Sequence, residues 1–538
     1  MPNFIKVNEL LGEIKLGTFN LSQIHDFPES EWHSKRMEYD ELEAWFNGDK
    51  LNEKQVQGGR TVEKYPIKIN PIRGAVYKHA YALFGETKDD SRPLAPAILH
   101  PDDMNMKKEA KAGQDWLNRV WYNNSGRSLM LTNGINSQIY GGGIFKISFV
   151  PEAQFVPSPF RIEIIHPGNF VGIPMSGDQY RLEQAWMVRA ISPHEALRLY
   201  GMEFPSDELV YYVEYWQPDY YEVTINGQLV PTGKSDPNTA ANLYYQGDNK
   251  FGAVPIWYIP HVRQTGFYGD SLITQNVQGI VEEMNKRVAD YGDAVSDDSH
   301  RYYVIKNTSG RPDVYELAPG VRVVQLPPNP SITGKEGDPD MSELGAAQAS
   351  SSMKELNEQL YDQFRREAFI PAVADGEDEG SQRSALTLAM RMWPLWSHTG
   401  MERVAWADAL ALMDNLLLKM ALSVPEQVRS QWRIPNLPKE VVDMRIERKW
   451  APVLPRDREI FVNEMVNRAS GNLGSLEHLL AQFDDIEDPE GEYEAIKAQI
   501  KELAEIRAEA APKPTLMGAG PDGAKKPPTK PKTDTTKE

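Results

Sequence analysis

Two apolar stripes at helical spacing, held apart by a strand-rich insert, constrain this chain more than any other feature of its sequence. In the first, from about Asp270 to Asp298, Ile273, Val277, Ile280, Val281, Met284 and Val288 recur three and four residues apart. That spacing puts them on one side of a helix, with Glu282, Glu283, Lys286, Arg287 and Asp290 opposite. The second, from about Met341 to Phe369, repeats the device with Met353, Leu356, Leu360 and Phe364. At the helical rise, about 28 residues reach roughly 40 Å, the width of a small domain. Between them RYYVIKN, DVYELAPG and VRVVQLPP are β-branched and aromatic runs broken by Gly and Pro, which predict short strands. A helical hairpin with a module at its tip hides only the surfaces its helices turn to each other. If it protrudes, it needs neighbours; the plainer alternative is a long hairpin inside one domain.

The 538 residues leave room for several domains, and 41% hydrophobic content supplies a sizeable core. There is no cysteine, which excludes disulfides, thiolate metal sites and a cysteine nucleophile, and suits a reducing compartment. Zinc held by histidine and carboxylate remains open. The opening MPNFIKVNELLGEIKLGTFN has no unbroken apolar run of the secretory kind, and LLLKMAL near Leu416 is far too short to span a bilayer. The sequence therefore predicts a soluble protein with no membrane partner. A net charge of −19 argues against a general grip on the nucleic-acid backbone, which requires local cations.

In chain order, residues 1–60 predict a helical or partly extended arm. After Pro71, Ile72, Val76, Tyr77, Ala80, Leu83 and Phe84 predict a helix closed by Gly85. AKAGQDWLNRVWYNN puts Trp116, Leu117, Val120 and Trp121 on one face, and SLMLTNGINSQIYGGGIFKISFV reads as helix, glycine turn, strand. To about Pro260 the text is β-rich, with Asn226-Gly227 marking a hairpin and ISPHEALRLYG an interposed helix. Helical blocks on both sides of the strands predict an α+β class. Beyond DGEDEGSQ comes a long apolar helix that Pro394 should kink. Two short β-like pieces follow, QWRIP and VVDMRIERKWAPVLP, then helices beyond Pro455, and a Pro/Lys/Thr tail from Pro512 that predicts disorder.

Motifs of chemistry are scarce. No G-x-x-x-x-G-K-[ST] loop is present, so the chain carries no ATPase of that type. Gly141-Gly142-Gly143 leads into a strand, where a turn or bulge fits better than a phosphate cradle. H-E-x-x-H and G-x-S-x-G are absent, and histidines such as His261 and His398 stand alone in the sequence. Asp270 or Ser271 looks like the cap of the first stripe helix. Asp375, Glu377, Asp378 and Glu379 form a glycine-flanked acidic run whose spacing is not that of a calcium loop, and which reads as a solvated loop. YYVEYWQPDYY lacks interleaved cations and reads as strand packing rather than a base-stacking platform. No catalytic, cofactor-binding or metal-binding set emerges.

The order of parts resembles that of tailed double-stranded DNA bacteriophage portal proteins, the head-to-tail connectors, from roughly Thr61 to Ala508. The likeness rests on several passages: NPIRGAVYKHAYALFGE, WLNRVWYNN with INSQIYGGGIFKISF, VPIWYIPHVRQTGFYGDSLI, Asn285 midway along the first stripe helix, and WAPVLPRDREIFVNEMVNRASGNLGSLEHLLAQFDDIEDPEGEYEAI. It implies a phage portal fold with an α/β wing, a two-helix stem, a small β-containing clip and a helical crown. Residues 1–60 would be an N-terminal arm, 61–265 the first part of the wing, 266–300 and 341–369 the stem, and 301–340 the clip. A tunnel loop at 370–383, the rest of the wing at 384–456, a crown at 457–510 and a tail at 511–538 would complete the chain. Tyr302, Val304, Val314, Val321 and Val323 would build the clip, and Asp375, Glu377, Asp378 and Glu379 would face the channel.

The resemblance further implies a homo-oligomeric ring, typically a dodecamer, at one capsid vertex of the virion, assembled in the host cytoplasm. Double-stranded DNA would pass through it. Terminase, head-completion or neck adaptor, major capsid and scaffolding proteins would be its other partners. The competing readings are a cytoplasmic carboxylate-based hydrolase with a helical insertion, which needs two carboxylates in a concave pocket, and a non-viral oligomeric scaffold.

Overall fold

The computed structural model describes residues 21, 25–52, 55–57, 60–62, 68–85, 94–150, 157–205, 207–235, 242–262, 266–299, 302–306, 313–318, 321–327, 340–344, 351–376, 385–451, 458–480, 482–483 and 489–510. The chain forms two units, Met1–Asp457 and Arg458–Glu538. The first opens with helix α1 (Glu29–Asn47), whose Trp32, Tyr39, Leu42 and Trp45 are buried and whose end is closed by Gly48 in the left-handed region. The arm is therefore docked on the body at this helix: the Trp32 indole donates to the carbonyl of Gly168 at 2.9 Å. Helix α2 (Pro71–Phe84) starts on a proline, whose missing N–H costs nothing in a first turn, and ends at Gly85 with positive φ.

Strand β1 (Ala97–His100) leads to α3 (Lys107–Asn123), which buries Trp116, Leu117, Val120 and Trp121, and then to α4 (Gly126–Tyr140). The glycine triplet follows. Gly141 closes α4 in the left-handed region, and Gly142 begins β2 (Gly142–Phe149). A Cβ on Gly142 would overlap the Tyr258 ring, and one on Gly143 would meet Asn133 at 2.8 Å. The glycines are there for close approach, as a turn reading expects.

Strands β3 (Phe160–Ile165), β4 (Phe170–Pro174) and β5 (Leu182–Ile191) precede helix α5 (Pro193–Tyr200), capped by Ser192. Next come β6 (Val210–Trp216), β7 (Tyr220–Ile225), β8 (Gln228–Leu229), β9 (Gln246–Asp248) and β10 (Ile256–Pro260). The antiparallel order is β8-β7-β6-β5-β4, with β9 also on β7, and β10-β2-β3 makes a separate small sheet. Asn226 and Gly227 both have positive φ, the backbone that the β7–β8 hairpin requires.

The stripe helices are α6 (Gln275–Ser299) and α7 (Ser351–Glu367), packed along each other. Both begin later than their periodicity suggests. Residues 270–272 stay outside the helix because their backbone is already engaged: Asp270 N–H bonds to Val262 and Leu272 N–H to Gln138. Neither Asp270 nor Ser271 caps α6; Thr274 Oγ1 does, accepting from Val277 N–H. The insert comprises β11 (Tyr302–Lys306), β12 (Asp313–Ala318), β13 (Val321–Gln325) and β14 (Asp340–Leu344), in the order β12-β13-β11-β14. Met341 thus lies in a strand, not in the returning helix. Pairing with β11 over five residues overrode the local helical spacing.

The long apolar helix is two helices, α8 (Ala385–Arg391) and α9 (Trp393–Ser423), with Pro394 in the first turn of α9. A break at Met392 lets proline occupy the one part of a helix it tolerates, instead of kinking a continuous rod. QWRIP forms no strand, whereas β15 (Arg445–Arg448) pairs with β1. The largest core packs α3, α4, β2, β3, β10 and α9 around Trp116, Trp121, Phe145, Phe160 and Trp406. The second unit holds α10 (Arg458–Ser470), α11 (Leu476–Leu480) and α12 (Pro489–Ala510). Among the described residues no helix is long and apolar enough to cross a membrane.

Candidate functional site

The predicted stripe residues meet α1, α2 and α4 where α6 begins and α7 ends. Ile273, Val277, Met284 and Phe364 are buried in one cluster with Tyr39, Trp45, Ile72, Val76 and Ile139, and Ile280 and Leu360 pack against it. The stripe is therefore spent at its root on α1, α2 and α4. Farther along, Val288 is half-buried and Leu356 exposed; the side chain of Met353 lies outside the described residues. Asn285 is a second tie. Its Oδ1 accepts from Ile69 N–H and its Nδ2 donates to Ile69 O, both at 2.8 Å, so one side chain pins the strand-like segment before α2 to α6.

Asp375 differs from a solvated loop carboxylate. Its side chain is 13% exposed and sits between Lys78 of α2 and Arg365 of α7, with Arg365 Nε at 2.9 Å. Lys78 is itself pushed below its usual value, by partial burial and by the neighbouring Arg365. The loop after α7 is thus latched where it starts. Glu377, Asp378 and Glu379 lie outside the described residues. In the insert, Val304 and Val323 are buried inside the sheet and Val314 is exposed on the edge strand β12. Tyr302 pairs with Leu344 and Arg322, and Val321 with Ala318, through their backbones.

Beside this latch lies a cluster whose members are far apart in the chain. His79 of α2, His261 just after β10, and His398 and Glu402 of α9 are all buried together. Glu402 Oε1 is 2.8 Å from His398 Nδ1, 3.2 Å from His261 Nε2 and 4.0 Å from His79 Nδ1. Gln138 donates to the other carboxylate oxygen at 2.7 Å. Burial pushes His79 down to about 4, so that ring is neutral. Burial also opposes the charge on His261, but Glu402 outweighs it and raises that ring above its ordinary value. The only local hint was His398 and Glu402 one turn apart on a helix; the other two members come from distant segments.

A cleft of about 840 Å³ opens between β2, β6 and β7, lined by Lys146, Tyr212, Glu214, Trp216, Asn249 and Phe251. Burial raises the Glu214 carboxyl, but Lys146 Nζ at 2.6 Å, the Tyr212 hydroxyl and the Trp216 indole outweigh it and hold it below the usual carboxylate range. A carboxylate with three donors already on it is not a proton donor at neutral pH, and does not supply the acid of a two-carboxylate hydrolase.

The profile of the family described as "Phage portal protein, SPP1 Gp6-like" matches residues 191–512, more than half of the chain, and spans the helix pair, its insert and the α9 region. The chain belongs to the SPP1 Gp6-like phage portal family. Its architecture is accordingly the α+β portal fold, with wing, stem, clip and crown. The family is a structural one, not a family of enzymes. Among solved structures, a chain described as "Neck of empty GTA particle computed with C6 symmetry" is similar, at 15% identity over 76% of this chain and 88% of that one. Its TM-score of 0.39 is too low to carry an argument about arrangement. No curated protein matches the chain.

Proposed function

We propose that this portal protein forms a ring at one capsid vertex, through which double-stranded DNA passes during packaging and ejection, and on which terminase and head-completion adaptors dock. Membership of the portal family carries the reading. In this assignment α6 and α7 are the stem, the β11–β14 sheet is the clip, residues 370–383 are the tunnel loop, and α10–α12 form the crown. The energy for translocation comes from a separate ATPase, since the chain has no phosphate loop.

The ring is supported by apolar surface that a single chain leaves bare. Along α8 and α9, Met390, Trp393, Met401 and Val404 are 70%, 61%, 57% and 62% exposed, at spacings that bring them onto one side of the helices. Several large apolar side chains exposed along these helices suit an interaction surface, and a head-to-tail contact whose rotation closes gives a ring. The acidity fits a conduit: a wall with few cationic holds lets a polyanion slide instead of binding it.

Imaging of the purified particle along its axis, with mass measurement, tests the reading. A closed ring with a central hole is expected. A monomer at every concentration and ionic strength would overturn it.

A further inference from the structure

We infer that His79, His398 and Glu402 form a buried binding site for a divalent transition-metal ion, with His261 bracing the carboxylate, and that the ion clamps the stem to the wing. His79, His398 and Glu402 each offer one ligand atom within 4.8 Å of the others, and all three residues are buried. Tetrahedral zinc with nitrogen and oxygen ligands at about 2.0–2.1 Å needs ligand atoms about 3.3 Å apart. The separations from Glu402 Oε1, 2.8 Å to His398 and 4.0 Å to His79, bracket that value.

Hydrogen bonding supplies the independent observation. His79 uses Nε2 to donate to the carbonyl of Ala368 at 2.7 Å, and His261 uses Nδ1 to donate to the carbonyl of Asp270 at 2.7 Å. For His79 that bond assigns the ring proton to the far side, so its near nitrogen presents a lone pair toward Glu402, while His261 keeps its Nε2 toward the carboxylate as a brace. His79 Nδ1, His398 Nδ1, His261 Nε2 and Glu402 Oε1 are fully buried and have no properly directed hydrogen bond. Ring nitrogens packed around a buried carboxylate call for a positive charge among them, which a metal ion or a ring proton supplies. An imidazole whose outer N–H is held by a backbone carbonyl while its inner nitrogen faces a carboxylate is the arrangement that orients a metal ligand. Imidazole donors select transition metals over magnesium or calcium.

The position gives the ion a mechanical role. Ala368 immediately follows α7 and Asp270 precedes α6, so both ends of the stem are tied to the histidines. The ligands themselves belong to α2 and α9 of the wing. Because the site is sealed from solvent, it is structural, with no place for a substrate.

The test uses the full-length protein without an affinity tag, stripped with chelator and dialysed against zinc or cobalt. One zinc ion per chain retained through dialysis is expected, with a higher unfolding temperature and visible Co²⁺ bands of tetrahedral intensity. A variant carrying His79→Gln and His398→Gln should lose all three. Equal metal retention by both proteins would overturn the inference, as would an unchanged unfolding temperature on adding zinc. If the variant does not fold, the wild-type cobalt spectrum decides alone: featureless absorption would mean that a proton shared between His261 and Glu402 satisfies the cluster. Ring formation is not a readout, so failure here leaves the portal reading untouched.

Discussion

Asp414 and Arg448 face each other in the wing core with no exposure on either side chain, and the Trp121 indole donates to Asp414 at 2.9 Å. Removing one member strands the other as an unpaired buried charge, which typically costs about 3–5 kcal/mol. Asp414→Asn should therefore lower stability by roughly 3 kcal/mol. A double change, Asp414→Leu with Arg448→Met, should lose less than either single change; denaturant unfolding of the three variants checks both statements. The latch at Asp375 is less enclosed. Asp375→Asn should cost about 2 kcal/mol and raise proteolytic cutting in the loop after α7. Glu214 gives a pH signature. Its folded pKa lies below the ordinary value of 4.5, so its contribution is complete above that pH and is lost as pH falls through the folded value. Thermal unfolding followed from neutral to acid pH should show wild type losing its margin over Glu214→Gln below about 4.5. A constant margin would mean the pair does not stabilise the fold.

At the scale of elements, bare apolar stripes are the informative feature. On α9, Trp393→Glu combined with Met401→Glu should leave the helical content of the chain intact while abolishing the ring, as judged by mass and by particle images. In α12, Ile500, Leu503 and Ile506 are exposed three residues apart. That pattern matches one side of a helix waiting for a partner, and charge there should weaken association between copies. In the β11–β14 sheet Val304 and Val323 are buried and Val314 is exposed, so substitutions at Val314 should spare its fold and instead alter whatever docks on that edge.

For the whole molecule, the proposed channel role of the acidic run rests on Glu377, Asp378 and Glu379, not on Asp375. Asp375 is held by Lys78 and Arg365, so neutralising it tests the latch and not the channel. Neutralising Glu377, Asp378 and Glu379 together should leave rings intact and change DNA packaging or retention. Packaging indistinguishable from wild type would remove that loop from the mechanism.

What the sequence determined by itself were the features written in short-range spacing. Val277 to Val288 and Leu356 to Phe364 lie on helices, Asn226-Gly227 in a hairpin and Gly85 at a helix end, as their spacing predicts, because each depends on backbone preferences of a few neighbouring residues. Tertiary structure decided the rest. Residues 270–272 stay outside α6 because Gln138 and Val262 claim their backbone. Met341 joins a strand because β11 offers it hydrogen bonds. His79, His261, His398 and Glu402 meet only after α2, β10 and α9 have packed. No local pattern encodes that convergence, since the free energy of burying four polar side chains together depends on contacts between segments far apart in the chain.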